Sequence, residues 1–275
     1  MRIKIPAYYY QQFDADYSRD VPAEGFSGWK KASLKIETKR TALVVMHAWD
    51  CGTYQKYPGW WRSVDFIPRA QKICRDIFPK LLKAARASPI PVFHVASSAH
   101  YCKKYPGYKK VAAMAGEESK PFETIEQDFS YKKLQQFQAT HCFIGTRNRP
   151  DVNKGFKNID FAPQAKPLDR EPVVVNARQL FAVCKKFRGN HLIYTGFAIN
   201  WCLLLAPGGM HDMKKHGFIC SAVREAVTAM ENKETARHEL CKEIALWRIA
   251  IAFGFVYHLN DLLKGLARMK SMKKQ

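Results

Sequence analysis

Acidic residues are scarce in this chain. Its 275 residues carry 24 Asp and Glu against 45 Lys and Arg, a formal charge of +21 at pH 7, so its surface attracts polyanions whether or not that attraction is used. The lysines are spread out, as pairs such as Lys30-Lys31, Lys109-Lys110 and Lys214-Lys215, with a denser stretch from Lys264 to Lys274. No recognised RNA- or DNA-binding motif accompanies them, so nucleic-acid binding is not the expected primary role. Long apolar runs are lacking too, which argues against a membrane-spanning helix. The opening Met1-Arg2-Ile3-Lys4-Ile5-Pro6 has no apolar signal-peptide core, and the expected location is the cytoplasm with no membrane partner. Close cysteine pairs are absent: the eight cysteines, at 51, 74, 102, 142, 184, 202, 220 and 241, show no C-x-x-C spacing, which argues against a zinc site. They are too sparse for a disulfide scaffold and suit a reducing compartment. Internal repeats are missing as well.

What is present is a core. Apolar residues make up 47% of the chain and aromatics 13%, enough for one compact domain. Residues 42–47 form a continuous apolar run without alternation, the pattern of a strand buried on both faces. Further strands are predicted at 91–96, 172–176, 192–196 and 218–223, separated by helical stretches. That alternation predicts a three-layer α/β/α sandwich around a mainly parallel sheet. In the first helical stretch Pro68 suits an opening turn, Pro79 kinks or divides the helix, Leu81, Leu82 and Ala85 resume its apolar face, and Ser88-Pro89 ends it. Late in the chain Leu240, Ile244, Trp247 and Ile251 share one helical face, read as core or subunit contact, with Gly254 closing the helix. Between about 97 and 166 lies an insertion rich in Lys, Tyr, Pro and Gly, with a helical piece at 125–137 and a short strand at 142–145. Sections this long select substrate or form a surface excursion.

The chemistry concentrates at His191-Leu192-Ile193-Tyr194-Thr195-Gly196-Phe197-Ala198-Ile199-Asn200-Trp201-Cys202, an apolar strand that stops at a glycine and delivers a cysteine. If Asn200 caps a helix, Cys202 lies in its first turn, where free N–H groups and the macrodipole favour thiolate. The strand brings that thiol to the carboxyl edge of the sheet, where open α/β proteins bind ligands.

The segment Gly196 to Cys202 resembles the nucleophile motif of the isochorismatase-like cysteine hydrolases, Gly-Val-Ala-Thr-Asp/Asn-x-Cys. The opening strand Thr41 to Met46, and Phe161-Ala162-Pro163 leading into Glu171 to Val175, are similar in order and spacing. The resemblance spans roughly residues 40–262, flanked by an N-terminal extension, 1–40, that packs on the domain, and a basic tail, 263–275; the domain itself is 41–262. It implies a hydrolase of an amide, imide or similar C–N bond of a small molecule, working through an acyl-enzyme. It also implies a cis peptide at Phe197-Ala198, and an oxyanion hole from the N–H groups around Phe197, Ala198 and Cys202.

The chain departs from that family at two catalytic positions. The usual Asp at the end of the first strand is His47, and the usual Lys at the end of the strand 172–176 is Asn176. Two readings stay open. Either the fold persists without hydrolysis, as a binding or assembly module, or His47 takes the thiol proton and Asn176 orients its ring. Asp50, three residues beyond His47, is a second candidate base if its loop turns inward. Trp49, Asn200 and Trp201 are expected to border the substrate pocket. Some relatives bind zinc through an Asp-x-His pair, but the stretch from His94 to His100 has no Asp two residues before a His. Neither metal nor cofactor is expected. The expected partners are a small-molecule substrate and further copies of the chain.

Overall fold

The computed structural model describes residues 2–116 and 125–272. Part of the insertion and the last three residues of the basic tail lie outside these described residues. Eight strands form one sheet: β1 Arg2–Gln11, β2 Gly28–Glu37, β3 Thr41–Met46, β4 Val92–Val95, β5 Val173–Val174, β6 His191–Phe197, β7 Ile219–Thr228 and β8 Val256–Tyr257. Their order is β2-β1-β8-β7-β6-β3-β4-β5. Every pairing from β8 to β5 is parallel, while β1 runs antiparallel to both β2 and β8. The mainly parallel sheet expected from sequence is therefore present. The N-terminal extension packs on the domain by adding a hairpin of two ten-residue strands to the sheet edge.

Helices cover both faces. On one face, α2 Ile67–Asp76, α3 Phe78–Arg86 and α12 Leu259–Met272 bury Ile73, Phe78, Leu81 and Leu266 against Leu43, Val45 and Ile193. On the other, α5 Pro106–Ala115, α8 Ala177–Phe187, α10 Met210–Lys215 and α11 Leu240–Ala252 bury Val111, Leu180, Met213 and Leu246 against Val44, Met46 and Tyr194. A third cluster, over the carboxyl end of β4, joins α1 Pro58–Ser63, α4 Ala99–Cys102 and α7 Arg149–Lys157. Pro68 opens α2 and Pro79 opens α3, so the proline divides the expected helix instead of bending it. Among the described residues no helix is long and apolar enough to cross a membrane.

Several expectations are corrected. The run 142–145 is not a strand: no neighbouring strand pairs with it, Gly145 has φ +78, and the Phe143-Ile144 peptide is cis. The helix expected at 125–137 is α6, Phe129–His141, and starts where the Asp128 carboxylate accepts the Tyr131 N–H at 2.8 Å. The third expected strand shrinks to Val173–Val174, because beyond it the Val175 N–H is taken by the Gln179 side chain at 2.9 Å. The basic tail is not a tail. Leu259, Leu262, Leu266 and Met269 are buried, so Lys264 and Lys270 ride the outer side of a core helix. In α11 the expected apolar face points outward: Leu240, Ile244 and Ile251 are exposed, and the residues against the sheet are Ala245, Leu246 and Ile249.

One ionic cluster ties the segment before β5 to β4. The Arg86 guanidinium meets both carboxylate oxygens of Glu171 at 2.7 and 2.8 Å, and the Leu168 N–H donates to the same group at 2.9 Å. The His94 Nε2 lies 2.8 Å from Glu171. Burial pushes the His94 ring down and keeps it neutral, so Nε2–H donates and the buried Nδ1 has no partner.

Candidate active site

The site forms where β3 and β6 end side by side. Met46 pairs with Gly196, and a Cβ at Gly196 would stand 1.9 Å from the Met46 carbonyl oxygen, at a φ of +117. Only glycine fits there. The next peptide, Phe197-Ala198, is cis, and the N–H groups of Trp201 and Leu203 both converge on the Ala198 carbonyl at 3.2 and 3.0 Å. This compact turn presents Cys202 as the first residue of α9, Cys202–Leu205. The helix is one turn long because Ala206 is extended before Pro207. Cys202 thus lies in a first helical turn as expected, but the helix adds little dipole, and burial raises the Cys202 thiol above its usual 9.0, with a hydrogen bond from the Ala198 backbone opposing it in part. The expectation of an acidified thiol is corrected: one turn of aligned peptides does not outweigh desolvation.

The expected partners are placed unequally. His47 follows the last residue of β3, has φ +50, and is buried with Nδ1 unpartnered. Burial lowers its pKa to about 3, so the ring is neutral. It stacks on Trp49 at 4.8 Å. Asp50 is exposed, and its Oδ1 accepts the Gly52 N–H at 2.9 Å, so the loop turns it outward instead of inward. Asn176 caps α8, its Oδ1 accepting the Gln179 N–H at 2.9 Å, which takes the oxygen that was to orient His47. Asn200 is not the cap of α9, a position held by Trp201 without a side-chain bond. Instead its amide donates to the Met230 carbonyl at 2.8 Å and accepts the Met230 N–H at 3.0 Å. Asn200→Ala leaves both Met230 groups without these partners, and an expected loss of about 1–2 kcal/mol is measurable by urea unfolding.

Beside Cys202 opens a cavity of 230 Å³. Phe197, Ala198 and Cys202 form one wall, Trp49 and Cys51 another, and Trp201, 56% exposed, stands beside it. Asn200 lies outside it, on the groove between α9 and α11. The rest of the cavity comes from residues that sequence reasoning missed, notably Trp60 from α1, Phe156 from α7 and Met230 after β7. A signal existed for one of them. A Cβ at Gly155 would come 2.1 Å from the Trp60 ring, so the glycine before Phe156 lets the two aromatics meet, with centroids 5.0 Å apart. The insertion thus builds part of the pocket. A larger open groove of 780 Å³ lies at the start of β4, and no cysteine or histidine lines it.

The thiols differ in access. Cys142 is exposed and Cys241 half-buried, whereas Cys74, Cys102 and Cys184 are buried with thiols pushed up to about 12. Among the described residues no group of three or more His, Cys, Asp or Glu side chains could hold a metal ion. His94 serves the Glu171 cluster, and His100 contacts Ser98.

No protein-family model and no curated protein matches the chain. Solved structures do. A cysteine hydrolase from Pseudomonas syringae pv. phaseolicola 1448A superposes with a TM-score of 0.50 at 17% identity, covering 85% of this chain and 95% of its own. An isochorismatase-like hydrolase from Alkaliphilus metalliredigens gives 0.48 at 14% identity, covering 83% and 98%. With its central sheet, its two helical layers and a cysteine at the carboxyl edge, this chain has the α/β sandwich fold of the isochorismatase-like cysteine hydrolases.

Proposed function

We propose that the protein hydrolyses an amide, imide or similar C–N bond of a small molecule with Cys202 as nucleophile. The observation that carries this reading is the placement of that sulfur on the wall of an apolar cavity that opens to the surface, next to the backbone of Ala198. The thiolate attacks the carbonyl carbon, and as the C–N bond breaks the nitrogen takes a proton from solvent water and leaves as the amine or ammonia. Water then cleaves the thioester and regenerates the thiol. The Cys202 N–H has no acceptor within its own short helix and is the proposed donor to the oxyanion, joined by the Ala198 N–H once the sulfur that it serves is acylated. With Asp50 turned away and His47 held near 3, neither supplies a strong base, and reaction draws on the ionised fraction of the thiol.

Exposure of the protein to 4-nitrophenyl acetate at pH 9 tests the reading. A transient acetyl group mapped to Cys202 by peptide mass spectrometry is expected, formed together with a burst of nitrophenolate. Site mapping is needed because Cys142 is the exposed thiol. The weak base set favours the second reading, a catalytically silent binding module, and absence of acylation at Cys202 would remove the hydrolase reading in its favour.

The homo-oligomer expectation rests on the outward stripe of α11, Leu240, Ile244 and Ile251. Sedimentation of the wild type above monomer mass, and of Ile244→Lys at monomer mass, is the expected outcome. A monomeric wild type would remove it.

A further inference from the structure

The cavity beside Cys202 discriminates by charge. An apolar cavity of about 150 Å³ holds a benzene molecule, so 230 Å³ accommodates one ring with a short substituent. Its walls are aromatic and aliphatic: Trp49, Trp60, Phe66, Phe156, Phe197 and Val152. Among the described residues no Lys, Arg, His, Asp or Glu side chain lines it, although the chain carries a formal charge of +21. The indole N–H of Trp49 is already directed to the Tyr101 hydroxyl at 3.3 Å. Phe156 presents its ring edge-on to Trp49, with centroids 5.4 Å apart at 79°, and packs on Trp60, so the walls are set by aromatic contacts and not by polar ones. A carboxylate, phosphate or ammonium entering this space would lose its water and find no counter-charge.

We infer that the substrate's acyl portion is a neutral, apolar, ring-sized group seated in this cavity with its carbonyl at Cys202. The inference rests on the reading of Cys202 as acyl acceptor and adds the chemical class it accepts. The basic surface then has no part in holding the acyl group. An anionic acyl donor, which the net charge alone would favour, is excluded by the lining.

Equilibrium binding separates this inference from the catalytic reading. In Cys202→Ser the thiol chemistry is removed and the cavity kept, and the variant is titrated calorimetrically with benzamide, 4-nitrobenzamide and 4-carboxybenzamide. The last two have the same shape and differ by one negative charge. Benzamide and 4-nitrobenzamide are expected to bind, with 4-carboxybenzamide at least about tenfold weaker. The same titration of the wild type at pH 6, where the thiol is protonated, makes the result independent of how the variant folds. Equal or tighter binding of 4-carboxybenzamide, or no binding of benzamide up to about 10 mM, overturns the inference. The expected binding order without any Cys202 acylation supports a cavity selective for neutral rings and removes the hydrolase reading. Acylation of Cys202 without benzamide binding does the reverse.

Discussion

Replacing Cys202 by alanine is expected to abolish thioester formation and to lower amide or activated-ester hydrolysis by at least about a thousandfold, with the fold retained. The side chain is half-buried and small, and its neighbours in the turn are held by backbone bonds to Ala198 rather than by the sulfur. The pH profile of the wild type makes the prediction specific. Burial lifts the thiol above 9.0, so the thiolate is the minority form at neutral pH and appears only as pH rises through the elevated value. At pH 7 the rate should stand below about 1% of its limit and climb nearly tenfold per pH unit. Stopped-flow nitrophenolate release between pH 6 and 10 measures this. A profile that plateaus near pH 7 would mean that a base on the protein activates the thiol, against the outward Asp50 and neutral His47.

Glu171→Ala is expected to be the most destabilising single change outside the packed core. It leaves the Arg86 guanidinium, one quarter exposed, without its bidentate partner, and removes the acceptor from the fully buried His94. Breaking a pair of this kind costs about 3–5 kcal/mol, on the order of 10 °C in Tm for a chain of this size. Burial alone would raise the Glu171 carboxyl, but hydrogen bonds from Arg86 and His94 outweigh it and hold the group at about 2, against an ordinary 4.5. The folded-state pKa lies below the unfolded one. The ionic contribution, about 3 kcal/mol, is therefore complete above pH 4.5 and is lost as pH falls through about 2. Thermal melts of wild type and variant should draw together over that interval. A constant gap down to pH 2 would place the stabilisation in packing.

Local sequence carried some elements and not others. The buried strand expected at 42–47 and found at Thr41–Met46, the proline that separates α2 from α3, and the glycine-to-cysteine turn at 196–202 depend on neighbours along the chain, and all were legible. The period of α11 was legible as well, but not its direction. Leu240, Ile244 and Ile251 do share a face, yet Ala245, Leu246 and Ile249 also recur at helical spacing, and contact with β1 and β7 selects the second set. In the C-terminal stretch the lysines hid the spacing of Leu259, Leu262, Leu266 and Met269. Asp50 and Asn176 were misjudged for a common reason. Short polar side chains bind the nearest free N–H groups, Gly52 and Gln179 here, before they reach across a site.

By itself the sequence determined a parallel α/β scaffold and the placement of one cysteine at its carboxyl edge, because apolar runs, prolines and Gly196 act over a few residues. Only the tertiary structure decided the surroundings of that sulfur. Trp49, Trp60, Phe156 and Met230 come from four separate stretches of chain to make one cavity. Their meeting, and the desolvation it imposes on Cys202 and His47, follow from packing between distant segments, which local sequence pattern does not encode.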